Sequence, residues 1–279
     1  MLISDSGIRF AILGVLEMKI DFRYLVVKAL ALMPSTLRWL ITKAILESQG
    51  VGWGSSTTEL EAKSASKILR DMGIRNPIAF DIGANMGNWS KAFVHYSPNA
   101  VSYAFEPSVA TYQALINSTK NSKNIFPVNL GMGERAGIAR LFTNEPGSGF
   151  ASLSLRRLDH FNISMDQSEE IQLSTIDNFI ESHNIFPTIV KLDIEGHELA
   201  ALLGATSSIS RIPVIQFEFG GCNLDTHTTF QDLWYFFTER DFEIYRVGPN
   251  GIVRLKKYLE IFEIYLTTNY FAVKKLQAR

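Results

Sequence analysis

Short apolar runs alternate with helix-like segments from residue 78 onward. Each run is too short to be a helix, and most are followed by a longer segment with helical spacing of its apolar residues. Strands are predicted at 78–82, 101–105, 125–130, 189–192 and 214–219, and helices at 59–72, 88–96, 109–120, 175–183, 198–203 and 230–240. Buried strands that alternate with helices indicate a parallel sheet covered on both faces, and therefore an α/β fold.

The pattern changes in the middle of the chain and again at its end. Two extended pieces, 139–143 and 171–173, flank a polar loop at 144–167. The last segments, at 242–247, 252–255 and 263–273, are strand-like and follow one another without a helix, with a turn at Pro249-Asn250-Gly251. Consecutive strands joined by a turn predict an antiparallel hairpin at the edge of the sheet.

The N-terminal region differs in composition from the rest. Residues 22–46 are apolar but are interrupted by Pro34 and by four basic residues, namely Arg23, Lys28, Arg38 and Lys43. No stretch offers the ~18 uninterrupted apolar residues of a membrane span. Ile8–Leu16 lacks the basic start and cleavage site of a signal peptide. We predict two short amphipathic helices in a helical extension at 1–58, followed by an α/β domain at 59–279.

Two interpretations of this extension are open. In the first, the helices pack on the main domain. In the second, a basic face that carries Trp39 lies on a membrane surface or on another subunit, through residues 20–46.

Composition and charge limit the partners. Twenty-seven Lys and Arg nearly balance 28 Asp and Glu, which gives a formal net charge of −1. A balanced chain lacks the basic footprint of nucleic-acid binding, so no nucleic-acid partner is predicted. The single cysteine, Cys222, cannot form an internal disulfide. These features favour a cytoplasmic protein, with the inner face of a membrane as a second location.

A glycine loop follows the first predicted strand. It runs Asp81-Ile82-Gly83-Ala84-Asn85-Met86-Gly87-Asn88, and the next strand ends at Glu106, 23 residues after Gly83. Ligands of such sheets bind beyond the carboxyl ends of the strands, and a carboxylate at this distance accepts hydrogen bonds from ribose hydroxyls. The sequence therefore predicts a nucleoside cofactor.

Two cofactors fit this geometry, NAD and S-adenosylmethionine. The dinucleotide motif G-x-G-x-x-G requires glycine at 83, 85 and 88, but 85 and 88 are asparagine. Asp81 before the loop disfavours a phosphate and favours a cation, such as the ammonium of a methionine moiety. S-adenosylmethionine is the better fit, and an NAD-linked oxidoreductase is the alternative enzyme class.

Four segments, DIGANMGNWS, AFEP, VNLGMGE and KLDIEGHELAALLGA, are similar to the FkbM-type methyltransferase family. The resemblance covers about residues 78–275. It implies the class I methyltransferase fold, a seven-stranded sheet whose last strand is inserted antiparallel, with S-adenosylmethionine at the strand tips. It also implies O-methylation of a sugar or of a polyketide-type natural product. The residues expected around the cofactor are Asp81, Gly83, Ala84, Asn85, Gly87, Asn88, Glu106, Pro107, Asn129 and Asp193.

Candidates for the chemical step cluster after the fourth strand. Methyl transfer to an alcohol needs an aligned acceptor and a group that takes its proton. Asp193, Glu195 and His197 share the predicted base role without a preference among them, and Glu218 ends the neighbouring strand. No metal site is predicted. Asp193 with Glu218 holding Mg²⁺ is a minor alternative, because Phe219 rather than a further ligand follows Glu218.

Two further expectations complete the interpretation. The loop at 146–152 is long and polar enough to act as a lid over the cleft. The non-enzymatic alternative is a membrane-associated nucleoside-binding protein, and the basic N-terminal segment is the best argument for it.

Overall fold

The structure is a computed structural model that describes residues 22–53 and 57–275. Residues 1–21, 54–56 and 276–279 lie outside the described residues. The stretch Ile8–Leu16, whose sequence lacks the pattern of a signal peptide, is among them. The chain divides into two compact units, Met1–Ser48 and Gln49–Arg279.

The described residues of the first unit, 22–48, contain two helices, as predicted. The helices are α1, residues 22–31, and α2, Ser35–Ser48. Pro34 lies between them, where its carbonyl accepts the first hydrogen bond of α2 from the Arg38 N–H, at 3.0 Å. No side chain of α2 is buried, and Trp39 is 60% exposed. Among the described helices, none has the length and apolar character needed to cross a membrane.

The second unit is built on a large sheet with helices on both faces. Its strands are β1 Ile78–Ile82, β2 Val101–Phe105, β3 Ile125–Val128, β4 Gly131–Met132, β5 Gly137–Thr143, β6 Gln167–Ser174, β7 Ile189–Leu192, β8 Val214–Phe219, β9 Phe242–Gly248, β10 Gly251–Leu255 and β11 Thr268–Lys274. Its helices are α3 Thr58–Asp71, α4 Asn88–Tyr96, α5 Val109–Thr119, α6 Ile176–His183, α7 Glu198–Leu203, α8 Cys222–Thr226 and α9 Phe230–Thr238.

The order of the large sheet is β10-β9-β11-β8-β7-β1-β2-β3. Neighbouring strands from β8 to β3 are parallel, and β11 is antiparallel to both β8 and β9. The predicted α/β class and the inserted antiparallel strand are therefore confirmed. The strand count is eight in this part of the chain rather than seven, because Gly251–Leu255 pairs with β9 as an extra edge strand.

The two faces of this sheet bury different clusters. Phe80, Phe105 and Phe217 belong to a large cluster on the face covered by α6, α7 and α9. Ala79 and Phe271 face the opposite way, against α3 and α4. Because both faces are covered, the inner strands β1, β7 and β8 are buried and mostly apolar, which is why they were visible in the sequence.

A second, three-stranded sheet was missed as a unit. Its order is β4-β6-β5, with β5 and β6 antiparallel along their full length. The sequence predicted only short extended pieces here, because β6 is mostly polar and exposed along one face. This sheet supplies one wall of the cleft described next.

Candidate active site

The glycine loop after β1 packs directly on the segment after β7. Gly83 has φ +78°, and a Cβ atom there would lie 1.9 Å from the Asp193 carbonyl oxygen. The N–H groups of Gly83 and Ala84 donate to the Phe105 carbonyl, at 3.0 and 2.9 Å. Only glycine permits this approach, so the tips of β1, β2 and β7 meet at one edge of the sheet.

Glu106 lies at this edge with its carboxylate held by backbone donors. The N–H groups of Asn85 and Ser108 donate to its two oxygens, at 3.0 and 3.1 Å. The residue is 8% exposed. Burial raises the pKa of Glu106 to about 7, although both hydrogen bonds oppose the shift. The carboxylate therefore lies at the wall of the cleft in a fixed orientation.

A cleft of about 770 Å³, its open mouth included, runs along the strand tips. Seven of the predicted site residues line it: Gly83, Asn85, Glu106, Pro107, Asp193, Glu195 and His197. The other predicted residues, Asp81, Ala84, Gly87, Asn88, Asn129 and Glu218, are not among the lining residues.

Asp81 lies behind the loop rather than in the cleft wall. Its side chain is fully buried, with the Lys191 ammonium 3.1 Å from Oδ1. The Ser90 hydroxyl donates to Oδ2 at 2.6 Å. Oδ1 is buried and has the ion pair with Lys191 but no hydrogen bond, and Asp81 does not line the cleft. The contact between Asp81 and a cofactor ammonium stays a prediction.

Gly87 and Asn129 support the cleft wall from behind. A Cβ atom at Gly87 would lie 2.7 Å from Leu115 of α5, so this glycine lets the loop approach that helix. The Asn129 amide donates to the carbonyls of Glu106 and Pro107, both at 2.9 Å. Asn129 thus joins the tips of β2 and β3 instead of pointing into the cleft.

Lys191 links the two halves of the site, and the sequence interpretation did not use it. Its ammonium lies 3.1 Å from Asp193 Oδ2 as well as 3.1 Å from Asp81, and it donates to the Gly83 carbonyl at 3.4 Å. Burial alone would lower the pKa of Lys191. The carboxylates of Asp193 and Asp81 outweigh that effect and hold the pKa above its usual value, so the lysine is charged.

The turn from Asp193 to His197 has a strained backbone that Glu198 holds in place. Glu195 has φ +53° and Gly196 has φ +96°, both in the left-handed region. The buried Glu198 carboxylate accepts hydrogen bonds from the N–H groups of Ile194, at 3.0 Å, and Gly196, at 3.3 Å. These bonds fix a conformation that a non-glycine residue at 195 would otherwise avoid.

His197 is presented to the cleft in a form that can accept a proton. Burial lowers the pKa of His197, so the imidazole is neutral at neutral pH. Its Nε2 lies 3.1 Å from the Ser154 hydroxyl. Asp193 has a side chain that is 38% exposed and lines the same cleft. Both residues thus have the geometry of a base, and neither is excluded.

The polar loop at 144–167 closes over this turn. The Ser152 hydroxyl donates to the Glu195 carbonyl at 3.0 Å. Arg156 forms an ion pair with the Glu195 carboxylate and lies 3.3 Å from Asp225. Several residues of the predicted lid line the cleft: Ser148, Gly149, Ala151 and Ser152. The loop therefore forms part of the cleft wall.

Two glutamates near the turn have raised pKa values. Burial, together with the nearby Asp193, raises the pKa of Glu195 to about 8, against the opposing effect of Arg156. Burial and the surrounding carboxylates raise the pKa of Glu218 well above its usual range. Glu218 lies at the tip of β8 outside the cleft lining, so its predicted contact with an acceptor is not supported.

The sequence interpretation gave no role to several residues that shape the site, namely Ser90, Ser154, Arg156, Lys191 and Glu198, and it included Ser152 only as part of the lid. Lys191 and Glu198 belong to the segment KLDIEGHE, whose charged positions were the available signal. Arg156, Ser152 and Ser154 gave no signal, since their partners are about 40 residues away along the chain. Ser90 lies only 9 residues from its partner Asp81.

Comparisons with known proteins agree with the geometry. Residues 81–244 match the methyltransferase FkbM domain. The chain is 25% identical over 148 residues to the hexuronic acid methyltransferase AglP of Haloferax volcanii. That match covers 52% of this chain and 57% of the relative, so the chain spans little more than half of the relative's length.

Two solved structures are also similar to this chain. A precorrin-6y C5,15-methyltransferase from Geobacter metallireducens is 12% identical, with a TM-score of 0.41 over 77% of this chain and 88% of the other. Fibrillarin from Aeropyrum pernix, with natively bound S-adenosyl-L-methionine, is 12% identical, with a TM-score of 0.37 over 71% of this chain and 66% of the other.

The domain match decides between the two cofactors that the glycine loop left open. A methyltransferase domain uses S-adenosylmethionine, and the predicted enzyme class and cofactor are confirmed for this domain. The cleft fits that molecule chemically. Glu106 offers oxygens for ribose hydroxyls, and an apolar wall suits a purine ring. The apolar wall residues are Leu130, Met132, Leu141, Ile171 and Leu173.

Proposed function

Because this chain belongs to the FkbM methyltransferase family, we propose that it is an S-adenosylmethionine-dependent O-methyltransferase acting on a sugar hydroxyl of a glycan. One observation carries the proposal. A single cleft joins the Glu106 carboxylate at one end to the Asp193–His197 turn at the other. The similarity to a hexuronic acid methyltransferase supports a sugar acceptor. A natural-product hydroxyl is the next acceptor class.

The cofactor end of the cleft uses the residues that line it. Glu106 would accept hydrogen bonds from the ribose hydroxyls, while Gly83 and Asn85 border the cofactor. When bound, S-adenosylmethionine supplies an electrophilic methyl group on a sulfonium. The chain's own task is to hold the acceptor oxygen in line with that group and to exclude water.

The acceptor end has to remove a proton. An alcohol loses its proton as the new bond forms, and a nearby base contributes roughly 10²–10⁴-fold to the rate. His197 is neutral and faces the cleft, so its free imidazole nitrogen is a proton acceptor. Asp193, oriented by Lys191, is the second candidate, and Glu195 is the third. The loop at 144–167 covers part of this end.

The N-terminal residues 1–58 are proposed to be an accessory to the catalytic residues 59–279. Four basic residues and one acidic residue occur between 22 and 48, beside exposed Trp39 and Tyr24. This composition supports a peripheral contact with the inner face of an anionic membrane. The test is cosedimentation of the full chain with vesicles. Arg38→Glu with Lys43→Glu should abolish binding to anionic vesicles, and self-association without vesicle binding would support a subunit contact instead.

Two measurements test the proposed function. Calorimetry should show saturable binding of S-adenosylhomocysteine, and binding of NADH instead would overturn the methyltransferase assignment. Incubation with S-adenosylmethionine and a panel of glycans and polyketides should give a product heavier by one methyl group on a sugar. Methylation of polyketides alone would move the acceptor to the natural-product class. Cofactor binding with no methylated product would support a non-catalytic nucleoside-binding role.

A further inference from the structure

Three potential ligand side chains converge beside the catalytic turn. Glu195 comes from the turn after β7, Glu218 from the end of β8, and Cys222 from the start of α8. Their carboxylate oxygens and sulfur all lie within 4.8 Å of one another. Cys222 is 2% exposed, and Glu195 lines the cleft, which connects the cluster to solvent.

The Glu218 carboxylate is the informative member of this cluster. It is 9% exposed, and within the described part of the chain it has no hydrogen bond and no ion pair. Other buried carboxylates nearby are satisfied differently. Glu106 accepts two backbone hydrogen bonds, and Glu61 accepts from the side-chain amides of Gln216 and Asn269. A buried carboxyl group without a partner is unfavourable in either protonation state, so a bound group that pairs with it would stabilise Glu218.

The surroundings of Glu218 favour a cation as that group. Its ionisable neighbours include the carboxyl groups of Asp193, Glu195, Glu198 and Glu61. Arg156 compensates Glu195 and Asp225, and it forms no ion pair with Glu218. A second positive charge in the cluster would stabilise both glutamates.

The donor set decides the kind of cation. Magnesium and calcium prefer oxygen ligands alone, whereas a thiolate beside two carboxylates suits a borderline transition metal such as Zn²⁺. Three protein ligands with an open fourth position is the arrangement of reactive zinc sites. We propose that Glu195, Glu218 and Cys222 bind one divalent transition-metal ion. Binding displaces the thiol proton to solvent as the sulfur–metal bond forms. This site is independent of the proposed acceptor, and its test needs no methyl transfer.

The test uses the full chain without cofactor and titrates it with ZnCl₂ in a calorimeter. Wild type should bind one ion per chain, and Cys222→Ser and Glu218→Gln should each bind at least about 100-fold more weakly. Glu239→Gln makes the same charge change on the exposed end of α9 and should bind like wild type. Co²⁺ in place of Zn²⁺ should give a thiolate-to-metal absorption band that disappears in Cys222→Ser.

Three results would overturn the proposal. They are no saturable Zn²⁺ binding by wild type, unchanged affinity in both ligand variants, or equal weakening in Glu239→Gln. Circular dichroism establishes that each variant is folded. If one ligand variant does not fold, the other carries the comparison. Zn²⁺ should also raise the Tm of wild type and leave the Tm of the folded variant unchanged, since a ligand stabilises only a chain that binds it.

Discussion

The tips of β1 and β2 are built differently from the tips of β7 and β8. At the first pair, backbone groups dominate. Glycine allows close approach at Gly83, and two N–H groups hold Glu106. At the second pair, side-chain charge dominates. Asp193, Glu195 and Glu218 lie close together, with Lys191 and Arg156 as the compensating cations.

This difference separates two tasks. Backbone donors and glycines give a rigid surface, which suits recognition of a cofactor that is the same in every turnover. Crowded carboxylates shift one another's pKa values and hold protons or cations, which suits chemistry. Lys191 belongs to both halves, because it contacts Asp81 behind the glycine loop and Asp193 in the turn.

The test with the largest expected effect removes Lys191, which contacts both halves of the site. Lys191→Met should destabilise the fold by about 3–5 kcal/mol, since it leaves the buried Asp81 carboxylate without its cation. Urea unfolding measures the change. The double variant Asp81→Asn with Lys191→Met removes both charges and should recover much of the loss. Equal stability of Lys191→Met and wild type would show that the two halves are not joined through this residue.

The second test addresses the charged half alone. His197→Ala and Asp193→Ala should lower kcat by roughly 10²-fold each while leaving cofactor affinity within a few-fold of wild type. His95→Ala, an exposed histidine on α4, is the control. Since burial lowers the pKa of His197, the acid limb of the rate profile should lie below the usual histidine range and disappear in His197→Ala. A reduction in affinity without a reduction in kcat would contradict this division of roles.

The third test addresses the backbone half. Glu106→Ala removes the carboxylate that would hold the ribose, and it should weaken S-adenosylhomocysteine binding by about 1.5–3 kcal/mol, roughly 10–100-fold, in calorimetry. Glu134→Ala, an exposed acid beyond the tip of β3, should bind like wild type. Unchanged affinity in Glu106→Ala would remove the ribose contact from the proposed site.

The last test concerns the pH dependence of stability. Burial raises the pKa values of Glu61, Glu106 and Glu198 from 4.5 to about 7. Between about pH 4.5 and 7 the folded chain therefore binds more protons than the unfolded chain. The stability that these carboxyl groups contribute is present below that range and is lost as the pH rises through 7. Each contributes a slope of up to about 1.4 kcal/mol per pH unit.

Urea unfolding at pH 5, 6 and 7 measures this slope. Glu61→Gln should flatten it, because the amide does not titrate. A stability that increases from pH 5 to pH 7 would contradict the assignment of these three groups as protonated in the folded chain.

Most strands of the large sheet, and the helices that cover it, were predictable. A strand that is buried on both faces appears in the sequence as a short apolar run. The run at Ile189–Leu192 is apolar except for Lys191, and the run at Val214–Phe219 is similar. The second sheet was harder. β6, with the sequence QSEEIQLS, buries little, and its pairing with β5 depends on contacts distant in sequence. The helix Cys222–Thr226 is too short and polar for a helical period to be seen.

The site was predictable where backbone geometry creates it. Gly83 and Glu106 occur at a fixed order and distance along the chain, so their meeting follows from the topology of the sheet. The partners of the charged half could not be predicted in the same way. Arg156 reaches Glu195 from 39 residues away, and nothing in the local sequence specifies which carboxylate it meets. The prediction that Asp81 contacts a cofactor ammonium was made without Lys191, which forms an ion pair with Asp81 from the neighbouring strand β7.

The anchoring of the 144–167 loop has a consequence for turnover. Ser152 and Arg156 hold Glu195, and Ser154 contacts His197. Any movement that lifts these residues to exchange product for substrate must break those bonds at the same time. Such a movement would leave the imidazole and the strained turn without these restraints. If His197 is the base, closing the loop would also position the proton acceptor, so closure and readiness for reaction would occur together.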